Sequence, residues 1–256
     1  MGSIAGWGAL IIGDEITRGS RQDRHFARAV EILAARGLHL DWAMYIGDDR
    51  IRLTETLRRT MAGDDVVFSF GGIGVTPDDH TRQAAAEAAG TVLALHPEAE
   101  AEIRARFAES GAEITPQRLQ LGEFPLGSRI IPNPFNRIPG FSLDRHHFFP
   151  GFPQMAWPML EWVLETCYRD QFHATAEAEA AIIVWEGMES TLLPLMRRVE
   201  SDYPRASVFS LPSFGSETVR RHIELGMRGD PDQVRAAMAE IRTGVSQLGF
   251  AWEEKG

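Results

Sequence analysis

Short apolar runs alternate with amphipathic segments through the first half of the chain. The runs at residues 9–12, 38–46 and 66–70 predict strands, and residues 26–34 carry apolar side chains at helical spacing. Continuously apolar strands that alternate with helices are typical of a parallel sheet buried on both faces. We therefore predict an α/β fold of three layers, in which a mostly parallel sheet has helices on both faces.

Shorter elements continue this pattern. A helix is expected after Asp48 or Asp49, one of which would cap it. Further helices are predicted over residues 81–89, 97–110, 116–121 and 153–168, and short strands over residues 127–133, 141–143 and 147–149. The adjacent histidines His146 and His147 are interpreted as lying on a strand surface rather than as a metal site.

The composition changes near residues 171–179, where we predict a domain boundary. The remaining chain has the order β-α-β-β-α-β, with strands over residues 180–185, 206–211, 218–227 and 250–252 and helices over residues 190–201 and 231–248. This order is that of a ferredoxin-like split unit. The predicted domains are therefore residues 1–170 and a small α+β, ferredoxin-like domain over residues 171–256.

The stretch from Gly71 to Thr81, GGIGVTPDDHT, lies between a predicted buried strand and a predicted helix. Glycines without a Cβ allow the backbone to approach a phosphate closely, and the free N–H groups of a helix start attract it. The carboxylates of Asp78 and Asp79 beside that positive end favour a divalent cation shared with a phosphate. A plain strand-to-helix turn is the alternative interpretation, because the segment lacks the lysine of a P-loop and the third glycine of a dinucleotide fingerprint.

Charge and cysteine content limit the classes of binding partner and the cellular environment that we expect. The 256 residues include 36 acidic and 26 basic side chains, and the formal charge of −10 disfavours a nucleic acid or an anionic membrane as partner. Cys167 is the only cysteine, so a reducing, cytoplasmic environment is expected. No run of 18 apolar residues and no basic leader with a long apolar core occurs, so we expect neither membrane insertion nor export.

Two other predicted strands end in acidic residues. The first is followed by Gly13-Asp14-Glu15, with Asp23 further on, and the second by Gly47-Asp48-Asp49. Ligands of doubly wound sheets bind at the carboxyl ends of strands, so these acids would share one rim with the glycine segment. For each acid alone, capping of the next helix is the simpler role. Zinc is not expected, because no paired His spacing or cysteine cluster occurs.

Taken together, these segments resemble the molybdopterin-binding domain family, which includes molybdenum-cofactor biosynthesis proteins and the N-terminal part of CinA-type proteins. GGIGVTPDDHT is similar to the family pattern G-G-[IL]-G-P-T-x-D-D-x-T, with Val75 for the usual proline, and GDEITRGSRQD is similar to its first motif. NPFNRIPG and FPGFPQM resemble its N-P-x-G-x-A-P-G and L-P-G-V-P-x-E-M segments. The chain departs from these patterns at Arg24-His25, Asn136 and Gln154.

The resemblance implies roles for individual residues. Asp48 and Asp79 are the expected catalytic pair, and Asp48, Asp78 and Asp79 the expected ligands of Mg²⁺. The expected ligand-binding residues are Gly13, Asp14, Glu15, Gly71, Gly72, Gly74, Thr76, Asn133, Pro139, Gly140, Pro150 and Gly151. The ligand would be molybdopterin or a nucleotide, bound through phosphate.

Three functions follow from this resemblance. The first is a Mg²⁺-dependent enzyme that acts on a phosphoanhydride, as an ADP-ribose-type pyrophosphatase or in pterin adenylylation. The second is a module that binds molybdopterin or a nucleotide without turnover, and the third is an oligomerisation scaffold. Related proteins self-associate, so a homo-oligomer is expected. The resemblance leaves no residues for the amidohydrolase domain of full-length CinA proteins, so nicotinamide-nucleotide deamidation is not expected.

Overall fold

A computed structural model describes residues 4–109, 111–174, 177–216 and 219–255. The chain divides into two compact units, Met1–Phe172 and His173–Gly256, each with its own apolar core. The first unit contains β1 (Trp7–Ile12), α1 (Asp14–Thr17), α2 (His25–Ala34), β2 (Trp42–Ile46), α3 (Arg50–Met61), β3 (Val66–Phe70), α4 (Thr81–Ala88), β4 (Leu93–Leu95), α5 (Pro97–Glu109), α6 (Pro116–Leu119), β5 (Glu123–Pro125), β6 (Arg129–Ile131), β7 (Gly140–Leu143), β8 (His146–Phe149) and α7 (Pro153–Cys167). Short 3-10 helices cover Gln120–Gly122 and Arg169–Gln171.

The sheet of the first unit has the strand order β2-β1-β3-β8-β7-β6. The four strands β2, β1, β3 and β8 are parallel, and β7 and β6 continue the sheet antiparallel. In β1, Ala9 and Ile11 pack with α2 and α7, whereas Leu10 and Ile12 pack with α3 and α4. Alternate side chains thus enter opposite cores, which confirms the predicted mostly parallel sheet between two layers of helices.

Carboxylates fix the positions where several elements begin. Asp49 caps α3, because its Oδ1 accepts the Arg52 N–H at 2.8 Å. Asp23, which precedes the cap residue Arg24, accepts the first two N–H groups of α2, those of His25 and Phe26. The predicted second strand begins at Trp42, not at residue 38, because Asp41 turns to accept the Trp7 N–H at 2.7 Å. The chain before Trp42 therefore anchors β1 instead of extending β2.

The strands β4 and β5 were not predicted. They pair with each other as a separate two-stranded sheet in which Ala94 lies opposite Phe124. Each has three residues, too few for a visible alternation, and their pairing depends on chain contacts across α5. Ser110, the predicted end of α5, lies outside the described residues, as does Thr218, the predicted start of a strand in the second unit.

The second unit consists of β9 (Ala178–Trp185), α8 (Glu189–Asp202), β10 (Ala206–Ser213), β11 (His222–Gly229), α9 (Pro231–Gln247) and β12 (Trp252–Glu254). Its antiparallel sheet has the order β10-β11-β9-β12, which is the ferredoxin-like arrangement that was predicted. Side chains of α8 and α9 share one core with Ile182, Val184 and Leu225 of the sheet. Asp230 caps α9 by accepting the Gln233 N–H at 3.0 Å.

No helix in the described part of the chain is both long enough and apolar enough to cross a membrane.

The interpretation of His146 and His147 as a surface pair is wrong. Their exposed fractions are 2% and 0%, because β8 lies inside the sheet between β3 and β7 and is covered on both faces. His147 bonds the Ser142 hydroxyl through Nδ1 at 2.8 Å and the Tyr168 hydroxyl through Nε2 at 2.7 Å. His146 bonds the Thr60 hydroxyl at 2.8 Å. Both rings are therefore buried polar groups with partners.

These buried rings predict acid sensitivity. Burial lowers the pKa of His146 to about 4 and that of His147 to about 3, from 6.5 in an unfolded chain. Below a pH of about 6.5 the histidines of the unfolded state bind protons, whereas those of the folded state stay neutral. The free energy of unfolding therefore falls as the pH decreases. The expected loss is about 2–3 kcal/mol per histidine by a pH of about 4. Urea unfolding at a series of pH values should show a shallower decline for His146→Gln than for wild type, whereas His39→Gln, an exposed control, should follow wild type. Parallel curves for all three proteins would contradict the assignment.

Candidate functional site

The carboxyl ends of the parallel strands β1, β2, β3 and β8 form one rim of the sheet. The turns that leave these strands are tied to their neighbours by backbone hydrogen bonds. The Gly13 N–H donates to the Ile46 carbonyl at 3.0 Å, and the Gly71 N–H donates to the Phe149 carbonyl at 2.9 Å. The sequence segments that were predicted to share a rim therefore do so, as expected for strand ends in a parallel sheet.

The segment Gly71–Asp79, hereafter the glycine loop, turns its carbonyl oxygens inward. The Thr81 hydroxyl donates to the Gly71 carbonyl at 3.0 Å, and the Thr81 N–H donates to the Gly72 carbonyl at 3.0 Å. The Arg82 guanidinium donates to the Gly74 carbonyl at 2.6 Å. Gly72 has φ +68° and its missing Cβ would collide with the Thr81 hydroxyl, so the loop requires glycine there.

The same arrangement leaves N–H groups free. In a trans peptide the carbonyl and the following N–H point in opposite directions, so carbonyls held inward direct the next N–H groups away from α4. Among the described residues, no protein atom accepts the N–H groups of Gly72, Ile73, Gly74 or Val75. We refer to these four N–H groups as the nest, after the backbone arrangement that binds anions in other proteins.

Asp79 braces this loop. Its Oδ2 accepts the Thr76 N–H at 2.9 Å and the Thr76 hydroxyl at 2.5 Å. Neither Asp78 nor Asp79 caps α4, because the cap residue is His80 and no side chain caps that helix. Asp79 Oδ1 has no hydrogen bond among the described residues, so one carboxylate oxygen stays available.

Acidic side chains crowd around Asp48 at the end of β2. Its Oδ2 accepts the Asp14 N–H at 2.8 Å, and Asp14 Oδ1 accepts the Asp48 N–H at 3.2 Å. Burial raises the pKa of Asp48, and the carboxylates of Asp14, Glu15 and Asp78 raise this pKa further. The structure therefore groups Asp48 with Asp14, Glu15 and Asp78, whereas Asp79 is bonded within the loop.

A recess of 310 Å³ opens beside the glycine loop. It is lined by side chains of mixed polarity: Glu15, Arg21, Arg24, His25, Phe70 and Phe152. Gly151 also borders it, and a Cβ on Gly151 would lie 3.5 Å from the Gly71 Cα, so the recess lies next to the first residue of the loop. Phe152 is 51% exposed, and Arg24 is an exposed cation without an ion pair among the described residues.

His25 forms part of the recess wall. Its ring stacks on Phe70 with centroids 4.8 Å apart, and its Nε2 lies 3.1 Å from the Gly151 carbonyl. Because a carbonyl only accepts, Nε2 carries the proton and donates. Burial lowers the pKa of His25, so the ring is held in its neutral form. The residue thus fixes Gly151 against the end of β3.

The segment 132–140 lies at the same rim, but its residues form a turn of their own and border a second cavity. Asn133 is 5% exposed, and its side chain bonds the Ile138 carbonyl at 2.9 Å and the Phe135 N–H at 3.0 Å. It borders another cavity, of 350 Å³, with Pro139 and Trp162. Of the residues predicted for this segment, Asn133 therefore organises its own turn, Pro139 lines that second cavity, and Gly140 is buried in β7.

Sequence reasoning missed three contributors to the site. Thr81 and Arg82 hold the carbonyls of the glycine loop, and Phe152 stands exposed at the recess. Thr81 belongs to the quoted motif, so its position carried a signal. Arg82 gave none, because an arginine in a helix normally faces solvent and two of its three partners, Gln120 and Glu123, lie about 40 residues further along the chain.

Comparisons with known proteins agree with this geometry. Residues 8–169 match the family described as "Probable molybdopterin binding domain". A CinA-like protein of Syntrophotalea carbinolica is 35% identical over 238 residues, covering 91% of this chain and 57% of that protein. A CinA-like protein of Geobacter metallireducens is 35% identical over 156 residues, covering 59% of this chain and 38% of that protein. The chain thus spans about half the length of these two relatives or less.

A third relative and one solved structure are each covered almost completely by this chain. A protein of Aeropyrum pernix is 27% identical over 257 residues, covering 96% of both chains. The crystal structure of the protein CinA from Thermoplasma acidophilum superposes with a TM-score of 0.56 at 26% identity, covering 63% of this chain and 97% of that one. The glycine loop, the strand ends and the recess all fall inside the matched range, and the chain belongs to the family of probable molybdopterin binding domains.

Proposed function

We propose that this protein binds a nucleotide or molybdopterin through phosphate at the glycine loop and, with Mg²⁺, acts on a phosphoanhydride of that ligand. The observation that carries the proposal is the run of four unpaired N–H groups from Gly72 to Val75, beside three carbonyls that α4 holds inward. Such donors bind the oxygens of a phosphate and are indifferent to what is attached beyond it. The net charge of −10 makes a local site of this kind necessary for an anionic ligand.

The donors near the loop are compatible with Mg²⁺. No group of three or more His, Cys, Asp or Glu side chains in the described ranges has the geometry of a metal site. Mg²⁺ commonly uses one or two carboxylates and completes its shell with water and substrate phosphate. Burial is the main cause of the raised pKa of Asp48, and the carboxylates of Asp14, Glu15 and Asp78 raise this pKa further, a repulsion that a divalent cation would relieve. Asp48 and Asp78 would hold the ion, with Asp79 Oδ1 as a further donor.

Each part of the site then has a task. The glycine loop binds the phosphate oxygens, and the recess accepts the remainder of the ligand against Phe152 and Arg24. When bound, Mg²⁺ would neutralise charge on the phosphate oxygens and on the leaving group. Asp79 keeps the loop closed through Thr76. A binding module without turnover is the second candidate, because free N–H groups bind phosphate whether or not a metal is present.

We also propose self-association through the second unit. In the described residues, β10 has a sheet neighbour on one side, β11, so its other edge is open. Leu211 within it is 57% exposed and Phe214 just beyond it is 88% exposed. An open strand edge with apolar side chains is a surface that proteins commonly cover.

The first prediction of this proposed function concerns Asp48 and Asp79. Asp48→Asn and Asp79→Asn should each lower Mg²⁺-dependent turnover of ADP-ribose at least about 100-fold, because each removes charge stabilisation at the phosphate. Asp49→Asn is the matched control: it neutralises a carboxylate at the same strand end, but asparagine also caps a helix, so turnover should persist. Product release is measured by chromatography. Binding of ADP-ribose without turnover in wild type would favour the second candidate.

The second prediction concerns the loop. In a thermal-shift panel of ADP-ribose, FAD, NAD, AMP, ATP and molybdopterin, with and without Mg²⁺, at least one ligand should raise the Tm of wild type. Gly72→Val should abolish that rise, because its side chain collides with Thr81 and its φ is +68°. Gly90→Val is the control, since Gly90 has φ +65° with nothing near its Cβ. An unchanged shift in Gly72→Val would refute binding at the loop.

The third prediction concerns assembly. Light scattering should give a mass of at least twice the 28.5 kDa monomer at micromolar concentration. Phe214→Ser should shift the protein towards monomer, and Phe26→Ser, an exposed phenylalanine of the first unit, should leave the mass unchanged. A monomer mass for wild type at every concentration would refute self-association without affecting the proposed ligand site.

A further inference from the structure

Arg82 is a buried cation that bonds only backbone carbonyls among the described residues. It lies in the first turn of α4 and is 3% exposed. Its guanidinium donates to the Gly74 carbonyl at 2.6 Å, to the Glu123 carbonyl at 3.2 Å and to the Gln120 carbonyl. One side chain therefore joins the glycine loop to the start of β5.

This placement is costly for a purely mechanical link. Burial lowers the pKa of Arg82, while the carboxylates of Glu123 and Asp79 favour its charged form. Charged residues are almost never fully buried unless they are paired, and here no carboxylate is hydrogen-bonded to the guanidinium. The compensation comes from three carbonyls that neutral side chains would not satisfy together, since only a guanidinium offers a planar fork of five donors.

The orientation of one peptide follows from this contact. The Gly74 carbonyl and the Val75 N–H belong to the same planar trans peptide, so fixing the carbonyl inward fixes the N–H outward. Thr81 sets the preceding peptides in the same way through Gly71 and Gly72. Val75 itself is 41% exposed and packs too little to hold this orientation. The contact from Arg82 is thus the one in the described residues that directs the last donor of the nest.

We propose that Arg82 is a positioning residue for phosphate: it touches no ligand, but it holds the Gly74 peptide so that the Val75 N–H faces the anion. The inference rests on the proposed function of the glycine loop. The competing possibility is that Arg82 only secures residues 120–123 to α4. A structural link of that kind would affect stability without altering the loop.

Binding and stability measured together separate these possibilities. In Arg82→Lys the charge is kept, but one ammonium cannot span the three carbonyls. Arg145→Lys is the matched control, because Arg145 bonds the Asp64 carbonyl at 2.5 Å at the amino end of β3, away from the rim. Both variants should lower Tm. Calorimetry with ADP-ribose and Mg²⁺ should show a Kd at least about 10-fold weaker for Arg82→Lys and unchanged for Arg145→Lys.

A second measurement needs no ligand. Backbone ¹⁵N relaxation of wild type should give order parameters of about 0.85 for Gly74 and Val75, falling below about 0.6 in Arg82→Lys and unchanged in Arg145→Lys. Equal order parameters in wild type and Arg82→Lys, or an equal Kd, would overturn the inference. If wild type binds neither ADP-ribose nor any other ligand of the panel, the proposed function fails, and the relaxation data still decide whether Arg82 positions the loop.

Discussion

The planarity of the trans peptide is the constraint on which this site depends. Three carbonyl oxygens of the glycine loop are bound from the inside by Thr81 and Arg82. Each of these bonds is ordinary, but each also determines where the next N–H points. The N–H groups that follow these carbonyls are thereby turned away from α4. The direction of the free N–H groups of the loop is consequently set by residues of α4 that contact the loop from behind.

Charge is distributed unevenly around this nest. On one side the acids near Asp48 are crowded enough to raise its pKa, and on the other Arg21 and Arg24 border the recess. The carboxylates on the first side would repel an anion placed between these regions unless a cation lay between them. The arginines on the second side would attract it directly. The rim is therefore polar along its length, with carboxylates towards β2 and two arginines at the recess.

Much of the fold was predictable because local rules and tertiary packing agree. Alternating strands and helices identified the three-layer unit, and Asp49 and Asp230 capped helices as their positions indicated. The glycine segment and the rim acids were identified from motifs and strand ends. Features that depend on distant partners were not predictable: the pairing of Leu93–Leu95 with β5, the contacts of Arg82, and the burial of His146 within the sheet. Each is determined by where another segment packs, which no local pattern records.

The hydrogen bonds that Asp23 accepts at the start of α2 have a consequence for anion binding. A helix start attracts anions, and the start of α2 lies beside the recess, where it would compete with the glycine loop for a phosphate. Asp23 prevents this, since its two oxygens accept the N–H groups of His25 and Phe26, and Oδ2 also accepts the Tyr45 hydroxyl at 2.8 Å. The protein thus supplies its own anion to one of two neighbouring helix starts. The N–H groups of His25 and Phe26 are thus not free for a second anion, whereas those of Gly72 to Val75 have no acceptor among the described residues.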